Sequence, residues 1–112
     1  MKEILIVIES DPRTSPRAAE AVRVADGLSR SEELKVSLLI SGAAAQAFSA
    51  PEHEWIEGQM ILKHLMALKK QQVPLYLHDH GTSGMIEHLP LQSIDGAGEA
   101  ALRKAAPVVI DF

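Results

Sequence analysis

Ile4-Leu5-Ile6-Val7-Ile8, followed at once by Glu9-Ser10-Asp11-Pro12, decides the fold class. Five aliphatic residues without a polar interruption read as a strand buried on both faces, which is how strands of parallel sheets are packed. A polar loop, Ser10 to Pro16, follows, and Ser15-Pro16 reads as an N-cap and first-turn proline opening a helix. Ala18, Ala21, Val22, Ala25 and Leu28 then fall on one helical face, and Gly27 with Ser29-Arg30-Ser31 is expected to close it.

Strand and helix signals keep alternating. Val36 to Ile40 is a second aliphatic strand ending at Ser41-Gly42, and Ala43 to Phe48 predicts a short helical turn. A long helix is expected from Glu52 to Gln71 after Pro51, with Ile56, Met60, Ile61, Leu65 and Leu68 on one stripe. Leu62, Met66 and Ala67 widen that stripe beyond what one sheet covers, which points to a subunit contact. Val73 to Leu77 predicts a third strand, with Pro74 near its start, where a missing N–H is tolerated. Met85 to Leu89 predicts a helical turn and Leu91 to Ile94 an edge strand. Asp95 is the expected N-cap of a helix over Gly96 to Ala105, stopped by Pro107, and Val108 to Ile110 is the last strand. The expectation is an α/β fold, a three-layer αβα arrangement around an open five-stranded parallel sheet, with residues 1–112 as one domain.

Composition narrows the function classes. Fifteen acidic against eleven basic residues, without a run of like charge, argue against a nucleic-acid or anionic-membrane partner. The 112 residues contain no cysteine, so disulfides, thiolate metal sites and a cysteine nucleophile are excluded within them. The opening apolar run is too short for a signal peptide or a membrane span, so a cytoplasmic protein is expected.

In open α/β sheets ligands gather at the carboxyl ends of the strands. That places the candidate ligand-binding residues in three loops: Glu9, Ser10, Asp11, Arg13 and Ser15; Gly42; and His78, Asp79 and His80. Arg13, Ser15 and Arg17 stand at a helix N-terminus, where a small anion is favoured. His78-x-His80 has the residue types that bind zinc, nickel or copper, with His88, His53 or Glu9 as a further ligand. No cofactor is otherwise expected. A third use of the same loop is acid/base chemistry, with Glu9 or Asp79 orienting a histidine ring. Ser83 lacks the context of a hydrolase nucleophile, His64 reads as a satisfied core or interface histidine, and Trp55 as packing.

The opening strand leading to Ser10-Asp11-Pro12, the Ala-rich first helix, the second strand with Gly42, the long helix, Val73-Pro74-Leu75-Tyr76-Leu77 and the apolar C-terminal strand together resemble the DsrE/DsrF-like family, of YchN-like fold. The resemblance implies a five-stranded parallel sheet and assembly into trimers or hexamers. It also implies a sulfur-relay persulfide on a cysteine in the loop after a strand like the one ending at Leu77. Here that loop reads His78-Asp79-His80-Gly81, and histidine cannot form the persulfide. The expected function is a non-catalytic, homo-oligomeric binding or accessory protein, alone or beside a related subunit. The alternative is a metal-dependent or acid/base enzyme using His78, Asp79 and His80.

Overall fold

The computed structural model describes residues 2–48, 50–78 and 91–112. Five parallel strands form one sheet in the order β4-β3-β2-β1-β5. They are β1 (Lys2–Ile8), β2 (Leu34–Ile40), β3 (Leu75–His78), β4 (Gln92–Ile94) and β5 (Val108–Asp111). The helices are α1 (Arg17–Ser29), α2 (Gly42–Ala47), α3 (Gly58–Lys70) and α4 (Gly96–Ala105).

Alternation along the central strands divides the core in two. Ile4, Ile6 and Ile8 of β1 and Val36, Leu38 and Ile40 of β2 face α1, α2 and α3, where Val22, Ala25, Phe48, Ile61 and Leu65 close over them. Leu5, Val7 and Leu39 point the other way, against Leu102 of α4 and Ala106 just after it. Both faces of the central strands are therefore buried, and each fully covered Leu or Ile contributes about 1.5–3 kcal/mol. Small residues on α1 set how closely it approaches: Ala18, Ala19, Ala21 and Ala25 are all fully buried.

The expected α/β sheet is present, and most element boundaries agree within two residues. Helix α1 starts at Arg17 and not at Pro16, yet the Ser15 hydroxyl accepts from Arg17 N at 3.2 Å, the bond expected of a cap. Gly27 lies inside α1 and does not end it.

The long helix over Glu52 to Gln71 is corrected. Glu52–Glu54 form one 3-10 turn, the chain breaks at Trp55 to Glu57, and α3 begins only at Gly58. Three contacts make the break. The Trp55 ring is buried against Phe48 at a centroid distance of 4.6 Å, and its Nε1–H donates to Ala47 O at 3.0 Å. Ile56 N donates to Pro12 O at 2.7 Å, tying this segment to the loop after β1. Glu57 then takes a left-handed φ of 55°, which no helix interior accommodates. Trp55 packs as expected, whereas Ile56 leaves the stripe and is 37% exposed. On α3, Leu62 and Ala67 are half-buried and Met66 is 42% exposed.

His64 is satisfied by a polar cluster between α1 and α3. The Asp26 side chain is almost covered, and its carboxylate meets His64 Nδ1 at 2.8 Å, Gln71 Nε2 at 2.8 Å and Arg30 at 3.3 Å. Burial alone would push the Asp26 carboxyl up, but hydrogen bonds from His64 and Gln71 and the nearby positive charges more than offset it, so its pKa is lowered. A carboxylate lowered in the folded state adds stability that is complete above its unfolded value, about 4, and is lost as pH falls through the folded value. Asp26→Asn is therefore expected to flatten the acid limb of a stability-against-pH curve measured by urea unfolding. An unchanged acid limb would show that the fold does not shift the Asp26 pKa.

The predicted helical turn at Met85 to Leu89, and Asp79, His80, Ser83 and His88, lie outside the described residues.

Candidate functional site

Helix α4 runs from the end of β4 at one edge to the start of β5 at the other, so it crosses one face of the sheet with its first turns toward the carboxyl ends of the strands. Asp95 caps it as expected, its Oδ1 accepting from Gly98 N at 2.8 Å. Glu99 and Arg103 are one helical turn apart and share a face, which here is the face over the strand ends.

The Glu99 carboxylate is the centre of the site. Its Oε1 accepts from the Ser41 hydroxyl at 2.5 Å and meets His78 Nδ1 at 2.6 Å, while Oε2 accepts from Arg103 Nε at 3.0 Å. Arg103 continues outward, one terminal nitrogen donating to Asp111 at 3.2 Å and the other to Glu9 at 3.0 Å. One helix thus ties the ends of β1, β2, β3 and β5 through side chains. The His78 and Glu99 side chains are 18% and 17% exposed, so this polar contact is mostly withdrawn from water. Gly96 adjoins the imidazole: a Cβ there would be in ordinary contact, 4.0 Å from His78 Cε1 and Nε2.

Protonation follows from these contacts. Burial would raise the Glu99 pKa, but hydrogen bonds from Ser41, His78 and Arg103, and the Arg103 charge, lower it overall. An ionised carboxylate only accepts, so the His78 proton facing it is on Nδ1. Arg103 is partly desolvated, yet its three carboxylates raise its pKa further, and it stays charged. Glu9, Glu99 and Asp111 around one guanidinium leave the site acidic. Glu99→Gln is expected to remove the carboxylate's charge while keeping its shape. It should cost about 1–3 kcal/mol in urea unfolding, as loss of one charged partner of a partly buried network does. A cost near zero would mean the cluster is held by water rather than by Glu99.

The structure brings together only some of the residues singled out in the sequence. Glu9 and His78 belong to this cluster, and Gly42 adjoins it, at a φ of 57° and with space for a Cβ 3.8 Å from that of Glu9. One expectation is corrected. The carboxylate that orients His78 is Glu99, while Glu9 is taken by Arg103. The trio of Arg13, Ser15 and Arg17 is committed internally. Arg13 is closed onto Asp11 through Nε and a terminal nitrogen, 2.8 Å at the shortest, and this pairing lowers the Asp11 pKa. Ser15 Oγ accepts from Arg17 N, and an Arg17 terminal nitrogen donates to Asp111 O at 3.2 Å. Ser10 contributes its backbone N–H to Phe112 O at 3.2 Å. Asp79, His80 and His88 are not described, and among the described residues no group of three or more His, Asp or Glu side chains is arranged to hold a metal ion.

Glu99, Arg103 and Ser41 are the site residues that sequence reasoning missed. The signal available was the Glu99 and Arg103 spacing on a helix that follows an edge strand. Which strand ends they meet depends on sheet order, and that is a tertiary fact.

No protein-family model and no curated protein sequence matches the chain. Among solved structures it is similar to the crystal structure of the ychN protein from E. coli, at 27% sequence identity and a TM-score of 0.78, with all of each chain covered. Among the described residues no helix is long and apolar enough to cross a membrane. The chain therefore has a YchN-like α/β fold, a five-stranded parallel sheet with helices on both faces, and carries no cysteine within it.

Proposed function

We propose that this chain is a thiol-less, homo-oligomeric binding or accessory protein of the DsrE-like kind, unable to carry a persulfide. The observation that carries the reading is the Glu99 carboxylate 2.6 Å from His78, the position nearest to where the resemblance expects a cysteine. An acidic neighbour disfavours a thiolate, which is the form that takes up sulfur. The site thus opposes sulfur-relay chemistry by its electrostatics as well as by its lack of a thiol. It suits a protein that has kept the fold and turned the strand ends to another purpose.

The test restores the thiol in two backgrounds. His78→Cys is expected to acquire sulfur from a persulfide donor roughly tenfold more slowly than His78→Cys/Glu99→Gln, read by mass spectrometry, since one pKa unit changes the thiolate fraction tenfold. Equal rates would overturn the electrostatic argument. Light scattering of the untagged protein is expected to show a trimer or a larger ring, for which the exposed Ile56 and Met66 offer apolar surface. A clean monomer at micromolar concentration would remove the oligomeric part.

The same contact favours a second reading, an acid/base or metal-dependent enzyme built on His78. A carboxylate facing Nδ1 fixes the orientation of the imidazole, as acid/base and metal-binding histidines require. Loss of an activity, or of zinc or nickel binding by calorimetry, in His78→Ala would raise this reading above the first. Retention of either in that variant would eliminate it.

A further inference from the structure

The other end of the α4-covered face holds a separate cavity. Register places Glu3, Lys35, Ser37 and Tyr76 on the same side of the sheet as Leu5, near the starts of β1, β2 and β3. The ten residues of α4 are the only described helix on that side, which ends at Ala105 and is followed by Ala106. Those two methyl-sized side chains, with Leu5 and Leu102, bound a cavity of about 200 Å³. Drug-sized ligands fill roughly 300–1,000 Å³, so this cavity suits a smaller molecule.

Its chemistry is divided. Leu5, Leu102 and the half-buried Tyr76 ring form an apolar floor continuous with the core. Lys35 and Glu3 stand side by side on the rim, 3.6 Å apart and each about half exposed. Ser37 and Tyr76 line the same space, and neither hydroxyl makes a hydrogen bond with the described residues. The carbonyl end of α4, negative by its dipole, lies on the side of Ala105 and Ala106. A simple anion would meet Glu3, and a simple cation would meet Lys35. A zwitterion satisfies both, with its carboxylate toward Lys35, Ser37 and Tyr76, its ammonium toward Glu3 and the helix end, and an apolar tail on Leu5.

From this arrangement we infer that the cavity between α4 and the strand starts binds a free α-amino acid with a small apolar side chain. The inference concerns a surface apart from the His78–Glu99 cluster and does not depend on the function proposed for that cluster.

Titration of the isotope-labelled chain with L-leucine, followed by amide NMR, tests it. Saturable shifts at Tyr76, Ala105 and Ala106, with a millimolar or tighter dissociation constant, are expected. 4-Methylpentanoate, which lacks the ammonium, and 3-methylbutylamine, which lacks the carboxylate, should each bind roughly tenfold more weakly, as loss of a charge-assisted contact does. Lys35→Met and Glu3→Gln should each weaken leucine similarly while leaving the spectrum of the fold intact, because both side chains face solvent. Absence of saturable shifts, equal affinity for either truncated analogue, or binding unchanged in both variants would overturn the assignment.

Discussion

Gly58→Ala is expected to lower stability by about 3 kcal/mol, the upper part of the range for forcing atoms into a filled space. A Cβ at this position would overlap the Glu52 carbonyl oxygen and lie 2.9 Å from its carbon. That carbonyl cannot swing away cheaply, since it accepts from Trp55 N at 3.0 Å and so holds the turn that precedes α3. The obstacle is backbone, which has no alternative rotamer. Urea unfolding should show a lower midpoint with an unchanged slope, because the surface exposed on unfolding is the same. A midpoint within error of wild type would mean that the 3-10 turn at Glu52–Glu54 and the start of α3 are not in contact in solution.

Phe48→Ala should cost about 3–5 kcal/mol, as truncation of a fully buried aromatic ring does. Phe48 has no exposed surface and joins α2 to the core formed by β1, β2 and α3. Its ring also meets Trp55 at a tilt of 45°, so the two residues should not act independently. A double-mutant cycle with Trp55→Ala is expected to give a coupling of about 0.5–1.5 kcal/mol, the usual worth of an aromatic pair beyond its buried area. The Trp55 single variant loses in addition the bond from its Nε1–H to Ala47 O. Strict additivity of Phe48→Ala and Trp55→Ala would show that the ring contact carries no energy of its own.

Gly58, and Trp55 against which Phe48 packs, fall in the stretch where sequence periodicity misreads the chain. Residues 52–71 repeat apolar side chains at helical spacing, and nothing local marks Trp55 to Glu57 as a break. The break is caused by partners distant in sequence: Phe48 and Ala47 draw the indole inward, and Pro12 O takes the Ile56 N–H. A pattern that counts only spacing cannot include them. Gly58 is the one visible hint, and its requirement is steric crowding by a carbonyl rather than a torsion angle.

The strands were legible for the opposite reason. Ile4 to Ile8, and Val36 with Leu38 to Ile40, are buried, so aliphatic runs broken only by the half-buried Ser37 are sufficient evidence for these strands. Asp95 and Pro107 likewise act through their immediate backbone, and the predicted helix Gly96 to Ala105 matches α4 at both ends.

At the site the division is sharper. Glu9 and His78 could be proposed from sequence because they follow strands, where loops converge. Glu99 and Arg103 could not, because a helix residue acquires a role only through what it faces. Sheet order β4-β3-β2-β1-β5 sends α4 from one edge to the other and lays those two side chains over Ser41, His78, Glu9 and Asp111. The sequence by itself therefore determined the alternating elements, the buried strands and the absence of a thiol, all of which depend on local pattern or composition. The tertiary structure alone decided the carboxylate that holds His78, the interruption before α3 and the cavity beneath Ala105 and Ala106. Each of these arises from contacts between segments far apart in the chain, and such contacts are set by topology rather than by spacing.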